Sequence, residues 1–316
     1  MKVLLIGFSR IAERRVLPAL QAAGATITGI ASKSRSHQIA PSMPGIQSFD
    51  SYEKALSSVD VDLVYISTVN SHHLSVAEMS LQRGIHTVID KPAFLALDDA
   101  FRLVALSKTN NCCLAEAVVF PYHPRILSAK QILISKNSPV SAITATFSFP
   151  PLSDSDFRYR RELGGGALWD LGPYAAACCR VFFEAIPLEI ATRVVSWKND
   201  VEDGFSLLAT FSDGRVMIGY FGYRTTYMNK VDLIGPEVCI TLDRVFTPPR
   251  DQTTEIVIER NTTREVVSIE PADSFACFFA ALFQDIKKST FDHFMSDLLC
   301  DAKTLSAIRQ GLSGPS

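Results

Sequence analysis

The chain has 316 residues, 47% hydrophobic and 20% charged, so it can bury more than one core and is expected to form two domains. Its formal net charge of -2, with no run of Lys or Arg, lacks the concentrated positive charge that nucleic acid or an anionic membrane requires, which leaves a small molecule as the expected ligand. The opening Met1-Lys2-Val3-Leu4-Leu5-Ile6-Gly7 is too short an apolar run for a signal peptide, and no later stretch reaches membrane-spanning length without charges, which predicts a cytoplasmic protein.

Through residue 117, short β-branched runs at 2–7, 26–31, 63–68 and 86–89 alternate with helical patterns at 11–23, 52–58, 74–83 and 98–108. Such alternation predicts βαβ units and a doubly wound parallel sheet, an α/β Rossmann domain over residues 1–117. Pro18 falls inside the first helical pattern and should kink or shorten it. From residue 118 strands follow one another directly, at 141–149, 189–197, 205–211, 215–221 and 230–234. Ser212-Asp213-Gly214 and Gly235-Pro236-Glu237 read as hairpin turns between them, and helices at 167–183 and 273–288 bracket the sheet. Residues 118–316 are therefore expected to form an α+β domain with a mostly antiparallel open sheet, and a cleft between two domains is the default place for a ligand. Seven cysteines, an odd number without C-x-x-C, give neither a disulfide framework nor a zinc spacing, so reduced thiols and no metal are expected.

Gly7-Phe8-Ser9-Arg10-Ile11-Ala12 follows a predicted strand and opens a helix, where a dinucleotide's pyrophosphate meets backbone N–H groups and the positive helix end. Ser9 stands where the usual fingerprint has its second glycine. Roughly 20 residues on, an NAD site places an Asp or Glu against the ribose 2′-hydroxyl. Here the chain reads Ala31-Ser32-Lys33-Ser34-Arg35, with two cations and no carboxylate, so Ser32, Lys33 and Arg35 suit a 2′-phosphate and favour NADP(H), with NAD(H) as the second option. Thr68, Asn70 and His73 follow the third strand, and Asp90-Lys91-Pro92 ends the fourth, all at the sheet edge where ligands bind in such folds. Neither His72 nor His73 has metal-type partners at useful spacing.

Gly164-Gly165-Gly166 opens a helix carrying Asp170 and Tyr174, four residues apart and hence on one face. A tyrosine facing a lysine and a carboxylate can act as a general acid. The competing reading makes Tyr174 a half-buried aromatic and Asp170 an early-helix charge. His123, Arg158 and Arg161 are further candidates for substrate contact.

In order and over essentially the whole chain, the Gly7 turn, Thr68-x-Asn70-x-x-His73, Asp90-Lys91-Pro92, Glu116-Ala117 and Gly164-Gly165-Gly166-x-Leu168-x-Asp170-x-Gly172 resemble the Gfo/Idh/MocA family of NAD(P)-dependent oxidoreductases. The resemblance implies a Rossmann domain followed by an α+β domain whose open sheet packs into homodimers or homotetramers. Lys91 would match the family's catalytic lysine, which a cis proline often follows, and Asp170 the aspartate that assists substrate binding. Tyr174 stands where many members have a histidine. In that it resembles the branch with glucose–fructose oxidoreductase, dihydrodiol dehydrogenases and nucleotide-sugar 3-ketoreductases, which use tyrosine as acid/base. Arg14-Arg15-Val16-Leu17-Pro18 and Tyr122-His123-Pro124 look like the same branch. Departures are Ser9, Val69 for a usual proline, and Asp90 for the usual Glu.

The expected function is hydride transfer between NADP(H) and a carbonyl or alcohol carbon of a sugar-like substrate. Pyrophosphate would lie near Gly7, Phe8, Ser9, Arg10 and Ile11, with Lys91, Asp170 and Tyr174 serving the carbonyl. The alternative is an NADP-binding sensor of the same fold without turnover.

Overall fold

The computed structural model describes residues 1–36 and 45–313, and its chain divides into two compact units. The first comprises residues 1–117 and 275–299, the second residues 118–274 and 300–316.

In the first unit, Lys2–Ile6 (β1), Thr26–Ala31 (β2), Gln47–Phe49 (β3), Leu63–Ile66 (β4), His86–Ile89 (β5) and Leu114–Glu116 (β6) form a parallel sheet in the order β3-β2-β1-β4-β5-β6. This is the doubly wound order expected, with the strand direction reversing its progression between β1 and β4. Val3, Leu4, Leu5 and Ile6 are fully buried, as are Leu63, Val64, Tyr65 and Ile66, because helices cover both faces of a parallel sheet and leave no solvent side. The three-residue strands β3 and β6 are too short to show a pattern in sequence. After β1, a π-type turn over Ala12–Val16 leads into the α-helix Leu17–Ala22. The helical run 10–22 is uninterrupted, and Pro18 alters it as a π-type stretch just before the proline in place of a break.

The helix Ser274–Lys288, expected to bracket the second sheet, belongs almost wholly to the first unit. Its Phe279 ring packs edge-on against Tyr65 at 5.7 Å, and Phe278, Phe279 and Leu282 are fully buried. An amphipathic pattern states that a helix covers a core without stating which one, so the second unit is not the uninterrupted stretch 118–316.

In the second unit, Ala142–Ser148 (β7), Glu189–Lys198 (β8), Val201–Thr210 (β9), Val216–Gly222 (β10), Met228–Ile234 (β11), Cys239–Asp243 (β12), Thr254–Arg260 (β13), Thr263–Ile269 (β14) and Leu312–Ser313 (β15) form one sheet, ordered β14-β13-β12-β11-β7-β10-β9-β8-β15. Every neighbouring pair is antiparallel except β7 with β10 and β8 with β15. Gly214, at φ +86°, closes the β9–β10 hairpin, and Asn199-Asp200, both at positive φ, make the two-residue turn between β8 and β9. Residues alternate along the strands. Phe147, Phe205, Met217, Phe221 and Val231 turn inward to a core shared with the helix Ala167–Cys178. Outward stand Val195 (56% exposed), Trp197 (51%) and Ile218 (54%), the last directly opposite Leu208 in register. Among the described residues no helix is long and apolar enough to cross a membrane.

Candidate active site

The first unit gathers its candidate residues at the carboxyl ends of β1, β4 and β5. Gly7 has φ +93°, and a Cβ there would sit 2.2 Å from the Ser67 carbonyl oxygen. No side chain fits. The turn after β1 therefore presses backbone to backbone against the end of β4, the close approach a dinucleotide turn requires. Ser9 places its Oγ 2.7 Å from Ser67 Oγ and accepts a hydrogen bond from the Ala12 amide at 3.0 Å. Phe8 is buried, while Arg10 and Ile11 are exposed.

Ser32, at the end of β2, is buried and accepts from the Arg35 amide at 3.1 Å. Arg35 donates to the Phe8 carbonyl at 2.7 Å, pairs with Glu13 at 3.0 Å and lies over the Phe8 ring. It fastens the basic segment to the glycine turn. Lys33 is exposed, with its ammonium 4.8 Å above the Tyr52 ring, and borders a groove also lined by Glu53, His72, Ser75 and Met79. Tyr52 was not singled out in the sequence and His72 was weighed only as a metal ligand, because only the fold brings the two helix starts next to Lys33.

His73 lies deeper than expected of a cofactor contact. It is fully buried, with Nδ1 2.9 Å from the Pro92 carbonyl and Nε2 3.2 Å from the Thr68 carbonyl. Burial pulls its pKa below the ordinary 6.5, and the neutral ring has one N–H to donate; given from Nδ1 to the Pro92 carbonyl, the shorter contact, it ties the segment after β4 to the segment after β5. Thr68 is half-buried and Asn70 buried at the start of that first segment. Beyond β5, the Asp90 carboxylate accepts hydrogen bonds from Tyr65 and Ser67, the Lys91–Pro92 peptide is cis, and Glu116 Oε1 accepts from the Ala93 amide at 2.8 Å. Lys91 itself is half-buried.

In the second unit the triple glycine has a steric explanation. A Cβ on Gly165 would meet the Arg158 carbonyl at 2.6 Å, and one on Gly166, at φ +116°, would meet the Glu202 carboxylate at 2.3 Å. The glycines let the chain fold back beneath residues 158–160, with the Gly165 and Gly166 amides bonded to the Arg160 and Arg158 carbonyls. Arg158 Nε then reaches Asp170 Oδ2 at 2.8 Å, and the Tyr223 hydroxyl donates to the same oxygen at 3.1 Å. Asp170 is 8% exposed, so its charge is balanced within the protein, and its proximity raises the pKa of Arg158 and adds to the effect of burial in raising that of Tyr223. No motif marked Tyr223; only strand pairing delivers it to Asp170.

Tyr174 follows one helical turn later and is half-buried, its ring 5.1 Å from Phe147, 5.1 Å from Phe246 and 6.4 Å from Phe120. Arg161 is exposed. His123 differs from expectation, because it is 1% exposed and its Nδ1 accepts from the Arg125 amide at 3.2 Å, capping the helix Pro124–Ser135. Its role in the fold is that of a buried helix cap. Among the described residues no cluster of His, Cys, Asp and Glu could hold a metal ion.

Residues 1–118 match the model of an oxidoreductase family with an NAD-binding Rossmann fold, and residues 138–259 match the GFO/IDH/MocA C-terminal domain. Fold and matches together define a dinucleotide-dependent oxidoreductase. The chain belongs to the Gfo/Idh/MocA family. It is 30% identical over 317 residues, 98% of this chain and 95% of the relative, to dTDP-3,4-didehydro-2,6-dideoxy-alpha-D-glucose 3-reductase of Actinomadura kijaniata. The reductase of the same name from Saccharopolyspora spinosa is 30% identical over 291 residues, 90% of this chain and 87% of the relative. A solved structure of a 3-ketoreductase from Actinomadura kijaniata, in complex with NADP and TDP-benzene, has a TM-score of 0.93 at 28% identity and covers 99% of this chain and 98% of that one.

The buried cap makes a pH prediction. Burial, and then the neighbouring Arg125 charge, lower the His123 pKa from 6.5 to about 4, against the opposing effects of the Ala272 backbone and Asp273. A folded-state pKa below the unfolded one means that the neutral ring stabilises the fold above the unfolded value, and that this contribution is lost as pH falls through 6.5 toward the folded value. His123→Asn keeps an acceptor for the Arg125 amide without the titrating ring. Its thermal midpoint should therefore fall less than that of the unmodified protein between neutral pH and pH 5; equal falls would contradict the assignment.

Proposed function

We propose that this protein reduces a ketone on a nucleotide-linked sugar with NADPH as hydride donor, the alcohol being oxidised in reverse. The observation that carries the proposal is that this chain is 30% identical across 98% of its length to a dTDP-keto-sugar 3-reductase, and it offers a lysine and a tyrosine, Lys91 and Tyr174, for the carbonyl oxygen. The backbone cradle at Gly7 fits a dinucleotide, since the Cβ test leaves glycine as the only residue the turn admits. Residues 7–11 would hold the pyrophosphate, Ser32, Lys33 and Arg35 the 2′-phosphate, and Thr68 and Asn70 would flank the cofactor. When bound, NADPH supplies the hydride that reaches the substrate carbon.

The chain's own groups do the rest. The Lys91 ammonium stabilises negative charge growing on the carbonyl oxygen, and the Tyr174 hydroxyl delivers the proton to it. Phe147, Phe246 and Phe120 hold the Tyr174 ring by its flanks, so the hydroxyl's position is fixed by packing. Asp170, held by Arg158 and Tyr223, keeps acceptor capacity for a sugar hydroxyl, and exposed Arg161 suits the diphosphate of a nucleotide-linked substrate.

We also assign the exposed sheet face around Val195, Trp197 and Ile218 to contact with a second copy of the chain, and place the protein in the cytoplasm, where its seven free thiols stay reduced.

Three measurements bear on this reading. Tyr174→Phe keeps the ring packing and should retain NADPH affinity while turnover falls about 10²-fold or more. Turnover near the unmodified rate would leave Tyr174 a packing residue. Titration should find NADPH binding tighter than NADH, and Lys33→Ala should weaken NADPH about 10- to 100-fold, from the loss of one charge-assisted contact of about 1.5 to 3 kcal/mol, while sparing NADH; equal affinity for both cofactors in the unmodified protein would refute the 2′-phosphate assignment. Light scattering at micromolar concentration should find a dimer or larger assembly that Ile218→Asp dissociates, and a monomeric unmodified protein would contradict the role given to the sheet face.

A further inference from the structure

Ser9, Ser67, Tyr65 and Asp90 form one hydrogen-bonded array within the first unit, and its direction is fixed by its two ends. A carboxylate only accepts, so Tyr65 and Ser67 both donate to Asp90. Ser67 has one proton and gives it to Asp90; at 2.7 Å it must therefore accept from Ser9. Ser9 in turn accepts from the Ala12 amide at 3.0 Å. Each hydroxyl proton consequently points from the glycine turn toward the residue that precedes Lys91.

The fit is built around the short side chain. Tyr65 and Ser67 alternate onto one side of β4, and the Asp90 amide bonds to the Ile66 carbonyl at 2.9 Å, which sets the Asp90 carboxylate between the two hydroxyls. A glutamate would carry its carboxylate one methylene beyond them. Burial pushes the Asp90 pKa up while the two hydroxyls, His73 and Lys91 oppose the rise, so the charge depends on these donors.

Taking Lys91 in the role given above, we propose that Ser9 and Ser67 are positioning residues. By ordering the Asp90 carboxylate they set the charge environment of Lys91, and they couple the dinucleotide turn to the lysine that serves the carbonyl oxygen. Ser9 is then not a mere replacement for a glycine; its hydroxyl has a task that glycine cannot perform.

The test is Ser9→Gly, which gives the turn its customary second glycine and removes the first hydroxyl of the array. If Ser9 only tolerates the turn, Ser9→Gly binds NADPH and turns over at least as well as the unmodified protein. The proposal expects NADPH affinity to hold or improve while kcat falls about tenfold with little change in KM for the keto-sugar, and Ser9→Thr to restore kcat. Ser67→Ala should lower kcat similarly, and the double variant should fall little further, because both act through Asp90. A second readout needs no turnover. Reductive methylation of Lys91 in the cofactor-free protein, followed by mass spectrometry of its peptide, should quicken about threefold in Ser9→Gly and Ser67→Ala, because a buried carboxylate stripped of hydroxyl donors gives up part of its charge and holds the ammonium less firmly. Unchanged methylation with kcat within twofold of the unmodified rate overturns the proposal. Should the unmodified protein reduce no keto-sugar, the functional reading fails and the methylation rates still decide the coupling.

Discussion

The first unit depends on one close contact, Gly7 against the carbonyl of Ser67. The 2.2 Å that a Cβ would leave makes this position glycine by exclusion, and φ +93° makes it so again by backbone geometry. With the turn held there, β1 and β4 end side by side at the point where strand order reverses, and hydrogen bonds fasten neighbouring segments around it. Arg35 bonds to Phe8 and Glu13, Ser9 meets Ser67, and the His73 ring reaches the Pro92 carbonyl. The basic residues at the end of β2 thus divide their work. Arg35 braces the turn, and Lys33 stays exposed over the Tyr52 ring.

The second unit uses the same device for another end. Gly165 and Gly166 admit no side chain because Arg158 and Glu202 occupy the space, and the chain reversal this permits carries the Arg158 guanidinium to Asp170. A buried carboxylate is stable only with partners that neutralise and hydrogen-bond it, and Arg158 with Tyr223 supplies both. Tyr174 is fixed by aromatic packing of its ring, which holds the hydroxyl assigned above to proton transfer.

Much of this was legible in the sequence. Runs such as Val3-Leu4-Leu5-Ile6 announce a strand buried on both faces, and the order of turns and strands named the doubly wound fold. Chemistry-bearing residues were legible as types at positions: a lysine after β5, an aspartate and a tyrosine one helical turn apart. Depth was not legible. His73 and His123 look like site residues from their neighbours in sequence, yet both are buried and bonded to backbone, a fact that depends on what packs over them. Long-range partners were hidden for the same reason, since nothing near Tyr223 or Tyr65 in sequence points to Asp170 or Asp90. The segment 275–288 was misassigned because its apolar face fits any core. The alternation in Thr254–Arg260 and the Asn261 turn after it were readable, and β12 to β14 extend the sheet beyond the strands that were identified.

The central claim is direct hydride delivery to a sugar carbonyl carbon. Its sharpest test is reduction of a nucleotide-linked keto-sugar with NADPH deuterated at the transferring position, followed by mass and proton spectra of the product. The account predicts one deuterium, bound at the new carbinol carbon with a single configuration. A product whose carbinol hydrogen comes from solvent, or binding of NADPH with no product across a panel of keto-sugars, would contradict it and favour a cofactor-binding sensor.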